Sequence, residues 1–292
     1  MELRQTLRGT GVAIITPFDK NKAVDYIALG RIIDFNLGNG VNYIVTLGTT
    51  GETPVLSKEE KKQIIDFTTD HVAGRVPVVV GIGGNDTNAV LEEFRYLPLN
   101  NAAAVLSASP YYNKPSQEGI YQHYKLLAEC CPVPLILYNV PGRTGKNMNA
   151  ETTLRLSKLP NIAGIKEASG DMLQCIEILK HRNENFLVVS GDDALALPQL
   201  ACGMDGVISV AANCFPKQFS HMVNLCLAGD LKAAVKQNNA LTDAYHLLFA
   251  ENNPAGAKAF LFEMGMIENE MRLPVVPLSS LFQEQVKAWI AK

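Results

Sequence analysis

Paired cysteines are missing from this chain. Its six cysteines (Cys130, Cys131, Cys175, Cys202, Cys214, Cys226) form no C-x-x-C unit. That argues against a disulfide framework or a zinc site and favours a reduced, cytoplasmic setting. The five histidines lie far apart; His123 and His221 fall in helical stretches, where a surface or core role outweighs metal ligation. No block of like charge accompanies the net charge of −3, so nothing electrostatic points to nucleic acid or an anionic membrane. No apolar run approaches the ~18 residues of a spanning helix. The start, Met1-Glu2-Leu3-Arg4-Gln5-Thr6-Leu7-Arg8, lacks the apolar centre of a signal peptide. Gly81-Ile82-Gly83-Gly84 fits neither G-x-G-x-x-G nor G-x-x-x-x-G-K-[ST], because Asp86 takes the last glycine position of the first pattern. There is no low-complexity linker and no internal repeat. Neither a metal nor a cofactor is expected.

What remains is an ordinary globular composition: 292 residues, 47% hydrophobic and 19% charged, enough to bury a sizeable core. Eight short apolar runs recur: Val12–Thr16, Tyr43–Leu47, Val76–Ile82, Ala103–Ser107, Pro134–Asn139, Ile162–Lys166, Leu187–Gly191 and Val207–Val210. They are apolar throughout rather than alternating, as strands buried on both faces are. Between them lie stretches of helical period. Ser57-Lys58-Glu59-Glu60 reads as a capping box, and Ser116, Asn149 and Asp171 as N-caps. Eight strand–helix units predict a parallel sheet closed into a (β/α)₈ TIM barrel, with an open doubly wound sheet as the alternative. From about Phe215 onward the chain reads as helix after helix, punctuated by Pro254, Pro274 and Pro277. The expected division is therefore a catalytic barrel over residues 1–224 and a helical C-terminal extension over residues 225–292 packed on it.

In a barrel of this kind chemistry sits where the strands end. The sixth run ends at Lys166, in Gly164-Ile165-Lys166-Glu167. An ordinary lysine, with a pKa of ~10.4, is almost never neutral at pH 7. Burial would lower that value, and tuning to ~7–8 would supply a free amine able to attack a carbonyl. A strand-end lysine snorkelling to solvent is the alternative. Tyr138 ends the fifth run, where a phenol could exchange protons near Lys166, or simply be a half-buried aromatic. Thr49 and Thr50 place two hydroxyls in a glycine-flanked turn suited to a carboxylate, or merely leading a helix. A tight turn at Pro141-Gly142 would hold Arg143 over the mouth to meet a carboxylate bidentately, unless it is a solvated loop arginine. Asp192-Asp193 could be a metal pair, but with no third ligand nearby an N-cap is the better reading.

Four longer motifs carry a family resemblance: Gly48-Thr49-Thr50-Gly51-Glu52, Tyr111-Tyr112-Asn113-Lys114-Pro115-Ser116-Gln117-Glu118-Gly119, Tyr138-Asn139-Val140-Pro141-Gly142-Arg143-Thr144-Gly145 and Gly164-Ile165-Lys166-Glu167. The chain resembles the dihydrodipicolinate synthase branch of the pyruvate-dependent Schiff-base aldolases, a family that also contains N-acetylneuraminate lyase. The resemblance runs nearly end to end, from Gly11 to Pro254. It implies that Lys166 forms an imine with pyruvate, and that Tyr138, Thr49 and Tyr112 relay protons, Tyr112 being lent by a neighbouring subunit. It implies that Thr50 and the backbone of Ile208 bind pyruvate, that Gly191 lies beside that pocket, and that Arg143 holds the carboxylate of L-aspartate-4-semialdehyde. The implied product is 4-hydroxy-tetrahydrodipicolinate, from the first committed step of diaminopimelate and lysine biosynthesis. The implied assembly is a homotetramer, a dimer of dimers.

Arg143 favours this activity over the alternative, a sialic-acid lyase or 2-keto-3-deoxy sugar-acid aldolase, since those relatives typically lack an arginine in such a turn. A phosphate-binding barrel isomerase would want a glycine-rich loop after the last strands, for which Ser209-Val210-Ala211-Ala212-Asn213 is a poor candidate. A catalytically silent barrel would be expected to lack some of Lys166, Tyr138 and Thr49. One departure concerns regulation. Lysine-inhibited relatives hold the effector's ammonium with an acidic residue where this chain has Ala89, although Asn85 and Tyr111 keep the pattern. Lys58 and Lys61 replace nearby histidines, so weak or absent inhibition by lysine is expected.

Overall fold

The computed structural model describes residues 3–291; Met1 and Glu2, at the start of the segment read against a signal peptide, lie outside it, as does Lys292. Eight strands, β1 (Gly9–Ala13), β2 (Tyr43–Thr46), β3 (Val78–Gly81), β4 (Ala104–Ala108), β5 (Leu135–Asn139), β6 (Ile162–Glu167), β7 (Leu187–Ser190) and β8 (Gly206–Ser209), close into a barrel in chain order. Every neighbouring pair is parallel, including β8 with β1. All eight expected runs supply a strand. The apolar side chains cover both faces, as a sheet wrapped by helices requires.

The first strand lies further toward the N-terminus than its apolar run suggested. Gly9-Thr10-Gly11 looks like a poor strand because glycine packs nothing. Inside the barrel that emptiness is the requirement: a Cβ on Gly11 would sit 2.1 Å from the ring of Tyr43, which is fully buried. Leu3, which opens the short α1 (Leu3–Thr6), and Leu7, which follows it, pack into the same inner cluster. At this end Asp205 pairs with Arg4 (2.9 Å) and Arg182 (2.5 Å).

The surrounding helices are α2 (Tyr26–Gly38), α3 (Lys58–Val72), α4 (Thr87–Tyr96), α5 (Gln117–Cys130), α6 (Pro141–Thr144), α7 (Ala150–Leu156), α8 (Met172–His181), α9 (Ala196–Ala201) and α10 (Pro216–Leu227). Their starts are set locally. The capping box is complete: Ser57 Oγ accepts from the Glu60 N–H, and the Glu60 carboxylate accepts from the Ser57 N–H. Ser116, Asn149 and Asp171 each accept a first-turn N–H as expected, a cap typically worth about 1 kcal/mol. After α10 come α11 (Leu231–Phe249), α12 (Ala255–Glu263) and α13 (Ser280–Ile290). Phe260 meets Phe215 and Trp289 edge to face, and Phe215 and Trp289 lie tilted against each other, tying α12 and α13 to the segment that follows β8. Among the described residues no helix is long and apolar enough to cross a membrane.

Candidate active site

Lys166 and Tyr138 are register partners across β5 and β6, so their side chains stand side by side on one face of the sheet. That face is the barrel interior, where Tyr138 joins Ile136, Val189 and Ile208 in the inner cluster. Lys166 is 5% exposed and Tyr138 8%, so the snorkelling lysine and the half-buried tyrosine are both set aside. The Lys166 Nζ stands 4.5 Å over the centre of the Tyr138 ring. Gly191, just after β7, makes room for the lysine stem: a Cβ there would lie 2.8 Å from Lys166 Cε and 2.7 Å from Ala168 Cβ. Ile208 is buried on β8, with its backbone opposite Gly11.

The next residue along each strand points outward and does different work. Glu167 is buried and accepts hydrogen bonds from Asn139 Nδ2 (3.0 Å), Gln174 Nε2 (3.1 Å) and the Ser169 N–H (2.7 Å). Burial pushes its carboxyl above the usual range, against the pull of those bonds. Asn139 in turn accepts from the Met148 N–H and donates to Asn147. This outer network fixes the backs of β5 and β6 behind Tyr138 and Lys166. The sequence reading gave these residues no role, although two-residue alternation beside Tyr138 and Lys166 already places Asn139 and Glu167 together on the outer face.

Thr49 and Thr50 lie in a single 3₁₀ turn, Thr49–Gly51. Thr50 is buried and Thr49 half-buried. The turn is braced on several sides. Thr16 Oγ1 donates to the Gly51 carbonyl, Thr53 Oγ1 to the Leu47 carbonyl, and Asn253 Nδ2 to Thr50 Oγ1 (2.9 Å). Glu52 closes the turn in the left-handed region (φ +54°). Its carboxylate meets Lys258 Nζ at 2.5 Å with both side chains buried, and accepts from the Arg272 N–H. The Lys258 ammonium also donates to the Glu270 carbonyl and sits 4.3 Å over the Phe18 ring. Burial lowers its pKa to about 8 even beside Glu52. Asn253, Lys258 and Arg272 escaped the sequence reading because nothing local marks a contact with residues some 200 positions away.

Arg143 sits not in a plain turn but in the one-turn helix α6, begun by Pro141 and ended by Gly145 at φ +71°. Proline presets the helical φ and glycine accepts the left-handed exit. The guanidinium is exposed, and its Nη2 donates to Asn252 Oδ1 (3.1 Å). Tyr112 stands apart from the rest, 86% exposed at φ +71° and without a side-chain hydrogen bond among the described residues.

Two subsidiary expectations need correction. Neither aspartate caps α9, whose start carries no side-chain cap; Asp192 accepts from the Ala194 and Leu195 N–H groups in the turn that leads into it. Asp193 is fully buried and instead accepts from the Val210 and Ala211 N–H groups, clamping the exit of β8. Burial pushes its carboxyl up to about 6. Those bonds, with Ser209 Oγ on the Ala212 N–H, occupy the donors a phosphate would need. Near Ala89, which is exposed on α4, Lys61 is held by Glu93 (2.6 Å), so only part of the expected positive charge there is uncompensated.

A model of the dihydrodipicolinate synthetase family matches residues 6–292. The chain belongs to that family. It is 50% identical to the 4-hydroxy-tetrahydrodipicolinate synthase of Parabacteroides distasonis, covering 96% of this chain and 95% of the relative. A second relative of that name, from Neisseria meningitidis, is 45% identical over 97% of each chain. Among solved structures, the dihydrodipicolinate synthase of Acinetobacter baumannii complexed with pyruvate superposes with a TM-score of 0.95 at 40% identity, covering 98% of both chains. The enzyme of Cyanidioschyzon merolae with lysine bound superposes at 0.94 with 33% identity, covering 98% of both. These likenesses support the synthase reading and not the sugar-acid alternative.

Proposed function

We propose that this chain is a 4-hydroxy-tetrahydrodipicolinate synthase, condensing pyruvate with L-aspartate-4-semialdehyde through an imine on Lys166. The observation that carries the reading is the buried amine of Lys166 over the Tyr138 ring inside a closed barrel, in a chain of this family. The Lys166 amine adds to the pyruvate ketone, and loss of water leaves an imine. A methyl proton departs, and the resulting enamine carbon attacks the aldehyde of the second substrate. The amino group of that substrate then attacks the imine carbon and displaces Lys166, closing the ring and freeing the enzyme.

Tyr138, with Thr49 and Tyr112, moves protons in these steps; its place beside Lys166 supports that role. Thr50 and the Ile208 backbone receive pyruvate, with Gly191 leaving the space that the lysine stem and substrate share. Arg143 receives the carboxylate of the aldehyde; its exposure and its lack of a carboxylate partner among the described residues support this. Residues 1–224 act as the catalytic barrel and residues 225–292 as the extension that braces it. Tyr112 completes the site of a neighbouring subunit in a homotetramer, a use consistent with an aromatic side chain left 86% exposed. The reaction runs in the cytoplasm and needs no cofactor.

Borohydride reduction with pyruvate, followed by peptide mass mapping, tests the covalent step; an unlabelled Lys166 overturns it. Parallel assays of pyruvate with aspartate semialdehyde, N-acetylmannosamine and glyceraldehyde test the substrate. Turnover confined to the sugar substrates would replace the synthase by a lyase or aldolase.

A further inference from the structure

Between α11 and α12 two neighbouring asparagines reach different parts of the mouth. Asn252 Oδ1 accepts from Arg143 Nη2 (3.1 Å) and from the N–H of Asn253 (2.9 Å). Asn253, 5% exposed, donates to Thr50 Oγ1 (2.9 Å). We propose that Asn252 is a positioning residue for the aldehyde substrate, aiming the Arg143 guanidinium over the mouth without neutralising it. The proposal rests on the reading of Arg143 as the receptor for the substrate carboxylate.

Three features support it. Arg143 is a long, exposed side chain on a one-turn helix, and Asn252 is its single side-chain hydrogen-bond partner among the described residues. An amide oxygen occupies one of five guanidinium N–H groups and leaves the full charge for an incoming carboxylate. Asn252 also lies in the left-handed region, φ +83°, which glycine, asparagine and aspartate all enter readily. The backbone would thus accept an aspartate; charge is the reason to prefer the neutral amide. An acid here would pair with Arg143 and compete with the substrate. The Asn253–Thr50 bond joins the same corner to the Thr49–Gly51 turn, so one dipeptide holds both substrate-binding ends in a fixed relation.

The test compares wild type with Asn252→Gly and Asn252→Asp, both compatible with the backbone. Steady-state kinetics give KM for each substrate and kcat, and borohydride trapping of pyruvate gives the first half-reaction. Loss of aim raises the aldehyde KM about fivefold in Asn252→Gly, and competition raises it about tenfold or more in Asn252→Asp. The pyruvate KM and the trapping on Lys166 stay within about twofold. In an Arg143→Ala background neither substitution adds a further effect. An unchanged aldehyde KM in both variants overturns the proposal, as does a pyruvate KM that rises in step. If wild type traps no pyruvate, the imine reading itself falls; intact trapping with an unchanged aldehyde KM removes the positioning role alone.

Discussion

Lys166 illustrates how a single position acquires chemistry from its neighbours. Its stem runs over a glycine, its amine sits over a phenol, and its strand is pinned from behind by Glu167. Lys166→Ala should abolish both pyruvate trapping and condensation. Tyr138→Phe should keep trapping detectable but lower kcat by about 10²–10⁴, the usual worth of a placed proton donor. Gly191→Ala pushes a methyl into both the lysine stem and the Ala168 methyl; activity should collapse and the melting temperature should fall with it, because Ala168 Cβ is fixed to the backbone and cannot swing aside as the lysine can. Asp193 offers a test by titration. Its folded pKa, about 6, lies above the ordinary 3.8, so the native state holds an extra proton between those values. The stability this gives is present below about 3.8 and lost as pH rises through about 6. Compared with Asp193→Asn, wild type should therefore lose urea stability across that window. His123 is buried with its pKa lowered to about 4 and acts in the opposite sense, but equally in both proteins, so the difference isolates Asp193.

Among the elements, the Thr49–Gly51 turn depends most on distant parts of the chain. Asn253 grips Thr50, and Lys258 and Arg272 grip Glu52. Removing one partner of a buried pair strands the other charge, at a cost of about 3–5 kcal/mol. Lys258→Met should lower thermal stability on that scale, and Glu52→Gln/Lys258→Met together should recover most of it; calorimetry distinguishes the two. Elements were unevenly legible in the sequence. Strands β2 to β8 and the capped helices follow from unbroken apolar runs and local cap residues, whose physics spans only a few positions. Strand β1 starts earlier than its apolar run because Gly11 leaves room for Tyr43, a neighbour on another strand. The strut at Asp193 likewise depends on where the chain returns.

At the scale of the whole molecule, regulation offers one further check. With Ala89 where an acid would hold the effector's ammonium, and Lys58 adding positive charge, sub-millimolar lysine should leave initial rates nearly unchanged. Strong inhibition would mean that another carboxylate, such as Asp86 or Glu93, takes up that ammonium. The eight strand–helix units and the family resemblance were legible in the sequence alone, and with that resemblance the side chains proposed to react, because uniform burial, period and motifs are properties of neighbours along the chain. The tertiary structure decided what those side chains face: that Lys166 is enclosed beside Tyr138, that Glu52 meets Lys258 across 206 positions, and that Asn252 reaches Arg143. Such pairings arise only when barrel closure brings remote segments together, and no local pattern encodes the partner.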